Sequence, residues 1–479
     1  MIDTDVIYTI IAIIVPLVEL LGIAAAVHAV MNARTSQGAI AWAISLVTFP
    51  WVALVLYAVF GRNKFNGYVV LRSEKNSEIH HYIENLKEAA ADKQLIGKDL
   101  AESQMALTRL AEKPVLQGNK SHLLIDGQET FRSIFEGIDS AEQYVLVLFF
   151  IIKDDEIGRE LQSRLIQKAK KGVKVYLLYD EIGSHKLPRS YLLELQMAGV
   201  VTSAFHSTKG KTNRFQLNFR NHRKIVVVDG KIAYAGGHNV GDEYLGKHPT
   251  FGSWRDTHVK VEGPIVQAIQ FCFIEDWYWA TKGIPELNWE LNPVADGNEN
   301  ALMIASGPAD RLETCGLMFV EAINSARKRV WIASPYFVPD LQTLSALKLA
   351  ALRGVDVRIL LPEKPDHRTV WLASFSYYQN TLPHGVKLYR YMAGFMHQKV
   401  FLVDSSCAAV GTANLDNRSF RLNFEITLLN YDPGFIKDVE AMLENDFSNC
   451  APVTMAEYSE RSFFFKLAVK SARLLAPIL

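Results

Sequence analysis

The chain reads as a duplicated α/β protein preceded by two apolar spans. Three observations predict this: a His-x-Lys…Asp…Gly…Asn pattern occurs twice in register, a helix–strand–helix–strand order recurs in both halves, and the first sixty residues carry few charges. At 479 residues the chain exceeds one typical core, so two or more domains are expected. Lys plus Arg (51) balances Asp plus Glu (51), which removes the global basic charge expected of a nucleic-acid binder. Cys272, Cys315, Cys407 and Cys450 show no CxxC or CxxH spacing, so they read as reduced thiols in a cytoplasmic setting and offer no zinc site.

Taken in order, Val6–Val30 is an apolar stretch whose one charged residue is Glu19, read as an interfacial or oligomer-facing carboxylate. Ala39–Phe60 has no charged residue. Each is long enough to cross a hydrocarbon core of about 30 Å, so residues 1–62 are expected to form a two-helix membrane hairpin. Arg62, Lys64, Arg72 and Lys75 follow the second span, against Arg34 alone between the spans. The positive-inside rule then places the large domain in the cytoplasm. Residues 63–113 read as a helical linker, with Tyr82–Leu95 its clearest helical piece.

The first α/β half is expected over residues 114–290. Phe131–Ser140 predicts a helix, Tyr144–Ile152 a strand, Glu156–Lys171 a helix and Val173–Asp180 a strand. Phe271–Trp279 is a dense aromatic helix expected in the core, and Gly283–Gly307 reads as the connector between halves. The second half, residues 291–479, repeats the order: helix Phe319–Lys328, strand Val330–Phe337, helix Leu341–Leu352, strand Val355–Leu361. GIDSAEQYV (Gly137–Val145) echoes AINSARKRV (Ala322–Val330). Halves of this kind close naturally about a pseudo-twofold, with both motifs facing one cleft. Ser462–Leu479 reads as a basic amphipathic helix, suited either to an anionic membrane surface or to ordinary docking.

The motifs themselves are Arg220–Asn239 and Phe395–Asn414. His397, Lys399, Asp404, Gly411 and Asn414 each lie 175 residues after His222, Lys224, Asp229, Gly236 and Asn239. Ile225–Val228 and Val400–Val403 are apolar runs that fit buried strands, and each is followed by a turn and a return strand. His and Lys, two apart, leave the first strand on one face. Gly236, Gly237, Gly411 and Thr412 are small enough for backbone or ligand to approach. Phosphodiester transfer without metal needs a nucleophile, an acid for the leaving oxygen and cations around the other oxygens. His222 and His397 suit the first two roles, and Lys224 and Lys399 the third, with Asn239 and Asn414 as neutral donors. A carboxylate behind each imidazole would fix its tautomer; the candidates are Glu425, after the second motif, and Asp242 or Glu243, after the first. Asp229 and Asp404 complete the candidate catalytic set, and their place at turns beyond the strands reads as loop-organising.

These paired motifs resemble the phospholipase D superfamily, with its His-x-Lys-x4-Asp pattern and trailing Gly-x-x-Asn. The hairpin and the run GTANLDNRSFRLNFE (Gly411–Glu425) are similar to the bacterial cardiolipin synthases of that superfamily. The resemblance implies a phospholipase D-like α/β/α sandwich with pseudo-twofold halves, set in the bacterial inner membrane. It implies two-step phosphatidyl transfer between two phosphatidylglycerol molecules, giving cardiolipin and glycerol through a phosphatidyl-histidine. His222 would be nucleophile and His397 acid and base, with Gly237 and Thr412 beside the substrate and no metal or cofactor. Anionic membrane lipids are the implied partners, nucleic acid is not, and self-association is left open. A hydrolytic enzyme with water as acceptor, or transfer to another alcohol, is the nearest alternative; a non-catalytic membrane scaffold is more distant.

Overall fold

A computed structural model describes residues 4–61, 64–65, 67–69, 78–98, 100–205 and 218–479. Arg62, Arg72 and Lys75, which the topology argument used, lie outside the described residues, as does part of the expected linker. The chain divides into two compact units, residues 1–73 with 207–219, and residues 74–206 with 220–479.

The first unit contains α1 (Thr4–Asn32), α2 (Ser36–Thr48) and α3 (Pro50–Phe60). The second apolar span is thus broken in two where one helix was expected. Pro50 is the reason: it supplies no backbone N–H and pushes Phe49 out of the helical region, to φ −134° and ψ 55°. At 1.5 Å per residue α2 and α3 extend about 20 Å and about 17 Å, so neither alone matches a bilayer core. Within α1, Ile11–Asn32 is long and apolar enough to cross a membrane. Gly22 lets α1 approach α2 and α3 closely, since a Cβ there would meet Leu46 O at 2.5 Å and Pro50 Cβ at 2.9 Å. Ile13, Leu17, Leu20, Val52 and Val55 point outward, each more than half exposed.

The second unit begins with α4 (Glu78–Asp92) and α5 (Glu102–Ala111). Its first half continues with β1 (Leu116–Ile125), α6 (Asp126–Ser140), β2 (Tyr144–Phe149), α7 (Glu156–Lys170), β3 (Lys174–Asp180), α8 (Arg189–Met197), β4 (Val201–Phe205), β5 (Ile225–Val228), β6 (Ile232–Gly236), β7 (Thr257–Glu262) and α9 (Ile265–Thr281). The second half runs β8 (Glu299–Ser306), α10 (Thr314–Ser325), β9 (Arg329–Ala333), α11 (Leu341–Leu352), β10 (Asp356–Pro362), α12 (Arg368–Thr381), β11 (Lys387–Tyr391), β12 (Val400–Val403), β13 (Cys407–Gly411), β14 (Asn423–Asn430), α13 (Pro433–Ser448) and α14 (Phe463–Leu474). β8 is a strand inside the expected connector, because its apolar residues Ala301–Ala305 are fully usable as core.

All of these strands share one sixteen-stranded sheet with Arg220–Asn221 and Cys450–Pro452. From its middle outward the first half reads β1-β7-β6-β5-β2-β3-β4, and the second reads β8-β14-β13-β12-β9-β10-β11. The orders match strand for strand, and antiparallel pairing of β1 with β8 joins them at the pseudo-twofold. β2 and β5 are buried at every position, as strands covered on both faces must be. Val145, Val147, Val226 and Val228 pack under Phe131, Ile134 and Leu161 of α6 and α7. In the second half Val330, Ile332, Phe401 and Val403 pack under Phe319, Ile323 and Leu347 of α10 and α11. The aromatic stretch of α9 is core as well, with Phe271, Phe273, Trp277 and Trp279 buried.

Candidate active site

Each motif histidine follows a two-residue strand, and that strand crosses to the other half. Arg220–Asn221 pairs in parallel with Asn423–Phe424, and His222 N donates to Phe424 O at 2.9 Å. Phe395–Met396 pairs in parallel with Trp254–Arg255, and His397 N donates to Arg255 O at 2.8 Å. The next residue on each opposing segment is a carboxylate, so the register sets His222 beside Glu425 and His397 beside Asp256. His222 Nδ1 lies 2.9 Å from Glu425 Oε2, and His397 Nδ1 lies 2.7 Å from Asp256 Oδ2. A carboxylate only accepts, so each Nδ1 carries the proton and each Nε2 is left for chemistry. The two halves therefore exchange carboxylates: each imidazole is oriented by the half that does not contain it.

Asp256 has no counterpart among the sequence candidates. Glu243 sits 2.5 Å from Lys153, and Asp242 accepts from the amides of Glu156 and Ile157 at the start of α7. Neither stands behind an imidazole. The signal that could have found Asp256 is its position just before β7, the strand that matches β14 with its Glu425.

The supports of the two carboxylates differ. Thr412 Oγ1 donates to Glu425 Oε2 at 2.5 Å, and Asn423 Nδ2 donates to Oε1 at 3.1 Å. On the other side Gly237 stands where Thr412 would be, and a Cβ there would fall 1.9 Å from Asp256 Oδ1. The shorter carboxylate is held by Thr257 N at 2.8 Å instead.

Both lysines turn back on their own motif. Lys224 Nζ donates to His222 O at 2.6 Å, and Lys399 Nζ donates to His397 O. Both are buried. Burial drives Lys224 well below its usual range and brings Lys399 down to about 8, although Asp256 and Glu425 act the other way. Burial also pushes His222 down to about 4, with Glu425 opposing, and lowers His397. Burial opposes the charge of Asp256, yet Lys399, His238 and His397 outweigh it and hold the carboxyl below its usual range. Glu425 is likewise held low, chiefly by His222 once its burial is overcome. Lys399 acts on both His222 and Lys224, so the two motifs face one site. Phe150 lies edge-on to His222 at 5.1 Å, and Trp254 and Tyr244 stand 5.3 Å and 6.1 Å from His397. The imidazoles keep 11% and 9% of their side-chain surface, so each is nearly buried but still touches solvent.

The two asparagines are not equivalent. Asn239 Oδ1 accepts from Ile151 N at 3.1 Å and its Nδ2 donates to Tyr244 Oη at 2.7 Å, so this amide braces the site. Asn414 Oδ1 is buried without a partner. Asp229 and Asp404 stand apart from the histidines. Asp229 receives the amides of Glu142, Gln143 and Tyr144, and Asp404 those of Arg327, Lys328 and Arg329, all at 2.8 Å. They tie the motif turn to the start of β2 or β9 and belong to the scaffold. Among the described residues no group of three or more His, Cys, Asp or Glu side chains is arranged to hold a metal.

A family profile described as "Cardiolipin synthase, PLD-like domain" matches residues 134–277 and 319–447, and one described as "Phospholipase_D-nuclease N-terminal" matches residues 20–62. The chain is 50% identical over 471 residues to "Cardiolipin synthase A" of Pseudomonas aeruginosa, covering 96% of this chain and 95% of that protein. It is 51% identical over 468 residues to the protein of the same name from Pseudomonas putida, with 97% of both chains covered. Among solved structures, phosphatidylserine synthase of Haemophilus influenzae superposes with a TM-score of 0.60 at 16% identity, over 79% of this chain and all of that one, a likeness of fold. The duplicated sheet, the paired motifs and half-identity along nearly the whole length converge: this chain belongs to the cardiolipin synthase family of proteins with phospholipase D-like domains.

Proposed function

We propose that this protein is a membrane-bound phosphatidyltransferase that condenses two phosphatidylglycerol molecules into cardiolipin and glycerol. The observation that carries the reading is the pair of imidazoles, each tethered at Nδ1 to a carboxylate from the opposite half, with a buried lysine beside each. The activity printed for relatives at 50% identity supports the substrate class.

In the first step His222 Nε2 attacks phosphorus, the bond from phosphorus to the leaving glycerol oxygen breaks, and His397 gives that oxygen its Nε2 proton. In the second step His397 takes the proton from a hydroxyl of the second phosphatidylglycerol. That oxygen attacks phosphorus, and the phosphorus–nitrogen bond to His222 breaks. The low affinity of His222 for protons suits a nucleophile that must be neutral. An arriving phosphodiester anion favours the imidazolium at His397, as the acid role requires. Lys224 and Lys399 stabilise charge on the phosphoryl oxygens, with Asn414 Nδ2 as the neutral donor, while Asn239 holds the wall. The assignment of nucleophile and acid follows the family pattern, because the geometry is symmetric at both imidazoles. The apolar helix Ile11–Asn32 anchors the chain, in this reading in the bacterial inner membrane with the site on the cytoplasmic side.

The test is purified full-length protein in detergent with phosphatidylglycerol as sole lipid. Equimolar cardiolipin and glycerol, absent in His222→Ala and in His397→Ala, is the expected result. Phosphatidic acid with glycerol would make water the acceptor and replace this reading with a hydrolase.

A further inference from the structure

α14 is apolar on two opposite faces. Phe465, Val469 and Ala472 form the inner stripe, and Phe465 packs against Trp371 and Phe375 of α12 at 6.0 Å and 5.2 Å between rings. That contact already satisfies an ordinary docking helix. Yet Phe463, Leu467 and Leu474 recur at spacings of four and seven on the outer side, joined by Phe464 and by Leu475 just past the helix end. Phe463 is 73% exposed, Phe464 79% and Leu474 81%. Between the two apolar stripes runs a basic one, Lys466, Lys470 and Arg473, with no acidic residue anywhere on the helix. The helices over the first half differ: on α6, α7 and α8 the exposed large apolar side chains are Leu193, at 45%, and Met197, at 87%.

We propose that the outer face of α14 docks the catalytic unit onto an anionic lipid bilayer. Two adjacent phenylalanines at the helix start enter the boundary between headgroups and chains, and the basic stripe meets lipid phosphates. A second protein would match the apolar residues, but the chemistry of the whole face favours lipid: its cations flank the apolar stripe on one side without a carboxylate among them. The same chain carries an apolar helix of membrane-crossing length. Docking holds the catalytic unit at the lipid surface, where a soluble enzyme would have to lift each lipid out.

The experiment uses the full-length protein in vesicles of phosphatidylcholine and phosphatidylglycerol, with a bimane label at Phe464→Cys and, for comparison, at Met197→Cys. Spin-labelled lipids bearing a shallow nitroxide are expected to quench the Phe464 label several-fold more than the Met197 label. Removing phosphatidylglycerol is expected to weaken that quenching. Equal quenching at both sites, or a label at Phe464 that reports contact with a second copy of the chain, would overturn the proposal. A second variant, Phe463→Ser with Phe464→Ser and Leu467→Ser, changes only exposed residues and leaves the fold intact. It is expected to lose transfer on bilayer phosphatidylglycerol several-fold while retaining it on detergent-dissolved lipid. A parallel loss in both settings would point to the catalytic centre and sink the docking role, and the quenching result stands whichever lipid product the enzyme makes.

Discussion

His222 and His397 share an arrangement but not their neighbours. Glu425 is fixed by His222, Thr412 and Asn423 together, whereas Asp256 relies on His397 and one backbone amide. Neutralising either carboxylate leaves the imidazole in place but no longer fixes its tautomer. Glu425→Gln and Asp256→Asn are each expected to lower the rate of transfer by about 10²- to 10⁴-fold with the fold retained, read from initial rates on phosphatidylglycerol. Asp256→Asn is expected to fall hardest, having fewer other supports. Lys399 is expected to set the alkaline limit of activity. Its charge disappears as pH rises through about 8, so transfer is expected to decline there. The unfolded chain keeps that proton up to the ordinary value of 10.5, so between these values the unfolded state binds more protons, and the penalty of burying this lysine charged is relieved as pH rises. A pH profile of rate and of circular dichroism should therefore separate: activity lost above about 8, secondary structure kept.

The elements are pinned to one another by buried charge. Arg223, between the first His and Lys, is fully buried and makes two 2.8 Å contacts to Asp276 on α9. At the matching place Gln398 donates to Asp446 on α13 at 2.7 Å, and Arg255 supplies the positive charge from the other half. Asp276→Ala removes the carboxylate facing the buried Arg223 guanidinium and leaves it its bonds to the Glu425 and Ser306 carbonyls, and is expected to destabilise the catalytic unit by about 3–5 kcal/mol in denaturant unfolding. Asp229→Ala removes the acceptor of three amides and is expected to cost about 2–4 kcal/mol, with a smaller loss for the more exposed Asp404→Ala. The strands and helices of both halves were legible in the sequence because their apolar runs are long and repeat. What was not legible has physical causes. The break at Phe49–Pro50 is a local backbone restriction hidden inside an uninterrupted apolar run. β8 lay in a segment whose flanking Pro, Asn and Gly outweighed its short apolar core. Asp256 escaped because it serves the histidine of the other half, and pairing between halves leaves no trace in local spacing.

The whole catalytic unit is one sheet with a dyad between β1 and β8, and its site exists only across that dyad. A fragment ending at Leu291 holds His222 but lacks Glu425, and the remainder holds His397 but lacks Asp256. Each fragment is expected to be inactive when purified alone, with transfer restored only if the two are combined and reassociate, assayed on phosphatidylglycerol. The traded carboxylates also bear on how such a chain can change over generations. A duplicated gene ordinarily frees one copy to drift. Here neither half can, because the residue that tunes each histidine is inherited with the other. The Gly237–Asp256 and Thr412–Glu425 pairings would have to alter as matched sets, and a chimera spliced from two diverged relatives at the dyad would inherit mismatched ones.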